Sequence, residues 1–233
     1  MLLARYFCCM ESNVESVSND MLMLTFEAFK QSVIQDYRIA LVSREVSLLG
    51  RREVLTGKAK FGIFGDGKEL VQVAMAKFFE KGDFRSGYYR DQTLMFALGV
   101  GEVEAYFSQL YADVFNDPYS GGKNMNAHFA TPFVDKNGDW VDLVNLKNIT
   151  ADIAPTAGQM VRALGLAYAS KSFRASAHKD AFKHLSNDGN EVCFCTIGDA
   201  STSEGQFWEV VNAAHAKWLL ENPNAGAGVW WSI

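Results

Sequence analysis

Between residue 26 and about residue 49, apolar side chains return every three or four positions: Phe26, Phe29, Val33, Tyr37, Leu41 and Leu48. That period puts them on one side of a helix and predicts one. Gly50 and Gly57 are expected to end it. Shorter helices are predicted over 69–79, 91–98, 101–114 and 158–173. The last is rich in small residues (Ala163, Gly165, Ala167, Ala169), which allow close packing against a sheet or a partner chain. Residues 191–197, Glu191-Val192-Cys193-Phe194-Cys195-Thr196-Ile197, form the apolar run expected of a buried parallel strand. A helix over 206–220 follows, with Phe207, Val210, Val211, Ala214 and Trp218 as its core stripe. Glu209 and Asn212 lie off that stripe, where they either stay solvated or meet another subunit.

Residues 116–157 carry little periodicity and three of the four prolines. Loops this long are commonly functional or flexible. Within it, 134–140 reads as a hairpin turning at Asn137-Gly138. Its Asp-rich turn falls short of a calcium loop, because Leu146 stands where the twelfth-position glutamate belongs. Residues 1–25 read as a disordered tail and 26–233 as one α/β domain.

Composition narrows the function classes. The formal net charge of -5 and the lack of a Lys/Arg run argue against nucleic-acid binding. No window holds the roughly 18 apolar residues of a membrane span. The first ten residues are interrupted by Arg5 and lack a small-residue cleavage site, so they read as a frayed start and the chain as cytoplasmic. Cys8 and Cys9 are neighbours, while Cys193 and Cys195 share one face of the predicted strand as small buried groups. Cysteine and histidine show no metal-ligand spacing.

Candidate chemistry clusters at strand-to-helix corners. After the strand comes Gly198-Asp199-Ala200-Ser201-Thr202-Ser203-Glu204-Gly205. A carboxylate at such a corner suits magnesium, a hard cation that commonly keeps phosphate oxygens and water in its shell. The following helix amino end favours phosphate. Asp199 either holds that metal or caps the turn, and Glu204 reads as a cap of its helix rather than a ligand. Tyr89-Arg90 offers a hydroxyl donor and a planar fork for phosphate; otherwise Arg90 is a surface residue paired with Asp91 or Asp83. His128 lies in the long loop, either touching substrate or cofactor or structural; His178, His184 and His215 show no partner pattern. Residues 62–68 imitate a nucleotide phosphate loop, but Glu69 replaces the magnesium-binding hydroxyl and no buried strand precedes it.

Taken together, Asp66-Gly67-Lys68-Glu69, Gly87-Tyr88-Tyr89-Arg90-Asp91, Gly122-Lys123-Asn124-Met125 with His128, Ala157-Gly158-Gln159-Met160, Gly198-Asp199-Ala200 through Gly205, and Glu209 with Asn212-Ala213-Ala214 resemble one family. The chain looks like the alpha region of the thiamine diphosphate-dependent decarboxylating component of 2-oxo acid dehydrogenase complexes, of the branched-chain or pyruvate type. The resemblance runs from about residue 37 to 214. It implies a three-layer α/β thiamine diphosphate-binding fold with a mostly parallel sheet, incomplete on its C-terminal side. It also implies that Tyr89 and Arg90 hold the cofactor diphosphate, that Asp199 ligates magnesium, and that the backbone near Gly198, Ala200 and Ser201 faces the diphosphate. Ala154 and Thr156 would line the aminopyrimidine ring through their backbone, and His128 would be a catalytic loop residue. The implied reaction, that of an oxidoreductase with a disulfide acceptor, decarboxylates a 2-oxo acid and passes the acyl group to a lipoyl group on the core acyltransferase. The implied partner is a beta subunit or fused beta region, in a heterotetramer or a homodimer of fused chains.

Three departures accompany the resemblance. Ala200 stands for a usual glycine, and Ile63 falls where many relatives carry a cofactor-side histidine. Residues 217–233 look unlike the apolar strand, and the Asn or Asp after it, that complete the family's magnesium shell. The chain therefore reads as a truncated alpha region, with an open sheet edge near 192–197 and poor solubility or oligomerisation. The rival expectations are a non-catalytic assembly module that dimerises through the helix at 158–173, and an acetoin-type dehydrogenase alpha chain.

Overall fold

Helix α1, Phe26–Leu55, runs through the glycine expected to stop it. This computed structural model describes residues 25–214 and 229–232; apart from Thr25, the tail expected over 1–25 lies outside the described residues with its Cys8 and Cys9, as do His215 and Trp218. Thr25 caps α1 by accepting a hydrogen bond from the Ala28 amide at 3.2 Å. Gly50 continues the helix because Phe64 packs on it: a Cβ there would lie 2.4 Å from Phe64 Cε1. It is a packing notch rather than a breaker.

The buried face of α1 is also not its apolar stripe. Ser43, Val46, Ser47, Gly50 and Glu53 face inward, while Phe26, Phe29, Val33, Tyr37, Leu41 and Leu48 are exposed. A hydroxyl seam explains the choice. Ser43 Oγ and Thr93 Oγ1 lie 2.6 Å apart, and Gln92 Nε2 donates to Ser43 O at 3.0 Å and Ser47 Oγ at 2.8 Å. Periodicity forecasts the helix; buried hydrogen bonds select the inner face.

Next come α2, Glu69–Ala76, α3, Gln92–Leu98, and α4, Val103–Leu110. Glu69 is held by Arg44 Nε at 2.7 Å and Nη2 at 3.2 Å, and accepts from the Gly67 amide at 2.9 Å. The phosphate-loop imitation is thus an anchored turn. The turn of the long loop forms as expected: Val134 bridges Trp140, and the Asp135 carboxylate accepts from the amides of Asn137 at 2.8 Å and Asp139 at 3.0 Å.

The sheet has four parallel strands, β1 Phe84–Ser86, β2 Asn148–Ile149, β3 Cys193–Thr196 and β4 Val229–Ser232, in the order β2-β1-β3-β4. β3 alternates between two cores. Phe194 joins Phe79, its ring centroid 4.9 Å away, and Leu94 and Met95 on the side of α1 to α4. Cys193 and Cys195 join Phe84, Met160, Ala163 and Val210 on the side of α5, Gly158–Ala175, and α6, Gly205–Ala214. The result is three layers, helices on both faces of a parallel sheet.

One expectation is corrected. β4 pairs with β3 from Cys193↔Val229 to Thr196↔Ser232, so β3 lies between two neighbours and has no open edge. Poor solubility predicted from an uncovered β3 loses its basis. The strand forms from Val229-Trp230-Trp231, a β-branched and aromatic run suited to pairing.

Candidate cofactor site

All four strands point the same way, so the segments leaving them emerge along one edge. Ligands of parallel α/β sheets bind beyond the carboxyl ends of strands. β1 leads into Gly87-Tyr88-Tyr89-Arg90, β2 into 150–157, and β3 into the one-turn 3-10 helix Asp199–Ser203. The segments that carry Tyr89 and Arg90, Ala154 and Thr156, and Gly198, Asp199, Ala200 and Ser201 therefore leave the sheet at one edge although they span more than a hundred residues of chain.

Each side chain is available in a definite way. Arg90 is half-buried and forms no ion pair with a carboxylate among the described residues; its guanidinium carbon sits 5.7 Å from the Tyr89 ring centre. Pairing with Asp91 or Asp83 does not occur. Asp91 binds Arg85 instead, and Asp83 accepts from the Val192 amide at 2.8 Å and the Glu80 amide at 2.9 Å. Asp199 is exposed, and its carboxylate accepts no hydrogen bond from the turn among the described residues; Thr202 Oγ1 donates to the Asp199 carbonyl at 2.7 Å. Ser201 is buried, its amide donating to Gly198 O at 3.0 Å. Gly198 lies beside Tyr88, whose Cε2 would be in ordinary contact, at 3.6 Å, with a Cβ at that position. Glu204, Glu209 and Asn212 are exposed, as are His178 and His184.

His128 is buried, unlike the other described histidines, and its ring lies nearly parallel to that of Tyr89, 6.2 Å between centroids and 12° between planes. Its Nδ1 is 3.3 Å from Asn126 O, which favours the tautomer protonated there and leaves Nε2 as the acceptor. Burial, helped by the Arg85 charge, lowers its pKa and keeps the imidazole neutral near pH 7.

The sequence reading missed the cluster beneath this edge. Arg85, in the middle of β1, is 0% exposed and donates from Nε and Nη2 to Asp91 Oδ2 at 3.0 and 2.6 Å, from Nη2 to Tyr88 O at 2.8 Å, and from Nη1 to Asp152 Oδ1 at 2.5 Å. Burial opposes its charge, but Asp152 and Asp91 outweigh that, and its pKa is raised. Thr196 Oγ1 donates to the same Asp91 oxygen; Asp91 Oδ1 is buried and accepts no hydrogen bond among the described residues. Burial and the nearby Asp91 charge outweigh Arg85 and push the Asp152 carboxyl up to about 7. Two carboxylates around one cation in a dry site favour retention of one proton. The only sequence signal was a lone arginine beside Gly87, with no hint of its distant partner.

The profile of the family described as "Dehydrogenase E1 component" matches residues 37–220. The chain belongs to the dehydrogenase E1 component family. Members are decarboxylating components of 2-oxo acid dehydrogenases and depend on thiamine diphosphate. The three-layer parallel fold agrees with that family's α/β architecture, here in incomplete form. Donor chemistry fits the cofactor: an arginine fork without a carboxylate partner suits its diphosphate. Among the described residues no group of three or more Asp, Glu, His or Cys could form a cation cage. Magnesium needs no such cage, since one or two carboxylates plus phosphate oxygens and waters complete its shell.

Proposed function

We propose that this E1 chain serves as the alpha part of an enzyme that decarboxylates a branched-chain 2-oxo acid or pyruvate and passes the acyl group to a lipoyl group. Thiamine diphosphate supplies the electron sink for loss of carbon dioxide. The observation that carries the reading is the pair Arg90 and Asp199. An arginine fork and a carboxylate, neither ion-paired with a described residue, stand at the carboxyl ends of adjacent strands β1 and β3.

Arg90 would hold the diphosphate with its planar fork, Tyr89 would add a hydroxyl donor, and Asp199 would hold magnesium. The backbone near Gly198, Ala200 and Ser201 would face the phosphates, and that of Ala154 and Thr156 would line the aminopyrimidine. His128, neutral and stacked beside Tyr89, presents Nε2 as a proton acceptor. A beta chain completes the site, and the exposed apolar stripe of α1 (Phe26, Phe29, Val33, Tyr37, Leu41) supports such a partner.

Calorimetric titration of the chain with its beta partner tests this. Thiamine diphosphate should bind only with magnesium. Asp199→Ala should abolish the magnesium-dependent binding, and Arg90→Met should weaken binding by about 10–100-fold, as loss of a charged hydrogen-bond pair does. Unchanged affinity in both variants would sink the assignment.

A further inference from the structure

We propose that Arg85 is the positioning residue of this site, a single buried guanidinium that fixes the cofactor-facing segments relative to one another. The proposal rests on the cofactor reading above. None of Arg85, Asp91 and Asp152 need touch the cofactor; they act through the segments they tie down.

The guanidinium has three nitrogens, and all three are engaged. Nη2 reaches Tyr88 O at 2.8 Å and so holds the turn that carries Tyr89 and Arg90. Nε and Nη2 hold Asp91 Oδ2, which accepts in turn from Thr196 Oγ1 at the end of β3, three residues before Asp199. Nη1 holds Asp152 Oδ1 at 2.5 Å, two residues before Ala154. The other oxygen of Asp152 accepts from the Phe129 amide at 3.2 Å, next to His128. One side chain thus bears on the turn at 88–91, the loop at 128–129, the segment at 152–157 and the corner at 196–201.

Only arginine has the geometry for this. Its donors lie in a rigid plane and diverge toward separate acceptors, whereas a lysine ammonium is a point charge. Gly87 keeps the fork clear. A Cβ at that position would lie 2.2 Å from both Arg85 Nε and Asp91 Oδ2, so the chain crosses the ion pair as bare backbone. The outer arms differ in what they hold. Loss of the Asp152 arm leaves Arg85 and Asp91 as a paired, neutral couple; loss of the fork releases everything.

The test compares Arg85→Lys with Asp152→Asn by amide hydrogen exchange on the full chain without cofactor, then by thiamine diphosphate affinity with magnesium and the beta partner present. Arg85→Lys should speed exchange together in 88–91, 128–129, 152–157 and 196–201 while the middle of α5 keeps its protection. It should weaken cofactor binding by about 10–100-fold, the usual size of an effect from beneath a ligand shell. Asp152→Asn should speed exchange only in 128–129 and 152–157. Uniform acceleration along the whole chain in both variants would make Arg85 an ordinary core residue and overturn the proposal, as would an unchanged pattern. If the unsubstituted protein binds no thiamine diphosphate, the cofactor reading fails, and the exchange pattern alone decides whether Arg85 coordinates the segments.

Discussion

The two glycines of α1 and α5 make the sharpest test of the packing, because one chemical change should act in opposite directions. In an exposed helix interior, Gly→Ala stabilises by about 0.5–1 kcal/mol through reduced chain entropy. Gly165 in α5 is exposed, and a Cβ there meets nothing within 4 Å. Gly165→Ala should therefore gain that full amount. Gly50 in α1 carries the same intrinsic gain, but its Cβ would fall 2.4 Å from Phe64 Cε1. The Phe64 ring packs against the core of Phe79, Leu94 and Phe194, so it cannot swing away freely. Overpacking of this kind costs about 1–3 kcal/mol, so Gly50→Ala should lose a net amount of up to about 2 kcal/mol. Urea unfolding of both variants reads the difference from midpoints at constant slope. If both are stabilised equally, Phe64 does not pack against Gly50 and this part of the fold is wrong. A rescuing second change, Phe64→Leu in the Gly50→Ala background, should recover part of the loss.

Two further outcomes follow from burial. The Asp152 carboxyl is pushed up to about 7, above its unfolded value, so the folded chain keeps a proton that the unfolded chain releases. Its contribution to stability is complete below about pH 4 and is lost as the pH rises through about 7. Asp152→Asn should flatten the fall in urea midpoint between pH 5 and 7.5, and an identical slope in both proteins would count against the buried cluster. Burial also pushes the Cys193 thiol up to about 12 and raises that of Cys195. Mass-spectrometric mapping of iodoacetamide labelling at pH 8 should find both unmodified in the native chain and modified in denaturant; rapid native labelling of either would refute their placement in the core.

Why some elements could be read from the residues and others could not is a matter of where their partners lie. β3 was legible because Cys193, Phe194 and Cys195 are apolar toward both faces, the mark of a strand covered on each side. β1 and β2 were not, since they are short and carry Arg85 and Asn148 into the interior. Those polar groups find partners far along the chain, Arg85 in Asp152 and the Asn148 amide nitrogen in Gly82 O and Asp83 O as well as in the nearer Leu143 O. No local pattern announces such a match. In α1 the apolar stripe announced the helix, yet the inner face was set by Ser43, Ser47 and Gln92. The site divides in the same way. Its outward motifs, Tyr89-Arg90 and Asp199, were visible as spacing, while the arginine that joins them below was indistinguishable from a surface residue.

The strand order has a consequence for synthesis. β1 pairs with β3, and the Val192 amide reaches Asp83 across 109 residues of chain. At the ribosome's pace of about 5–20 residues per second, β1 waits on the order of ten seconds for its central neighbour. Arg85 can meet Asp91 at once but Asp152 only after a further 67 residues are made, and Asp91 waits longer still for Thr196; until then the row of backbone groups on β1 is unpaired on the side of β3. β4 emerges last of all and closes the far edge of β3. The nascent chain is thus most open to misassociation through its middle third, and the period ends only when the last strand is made.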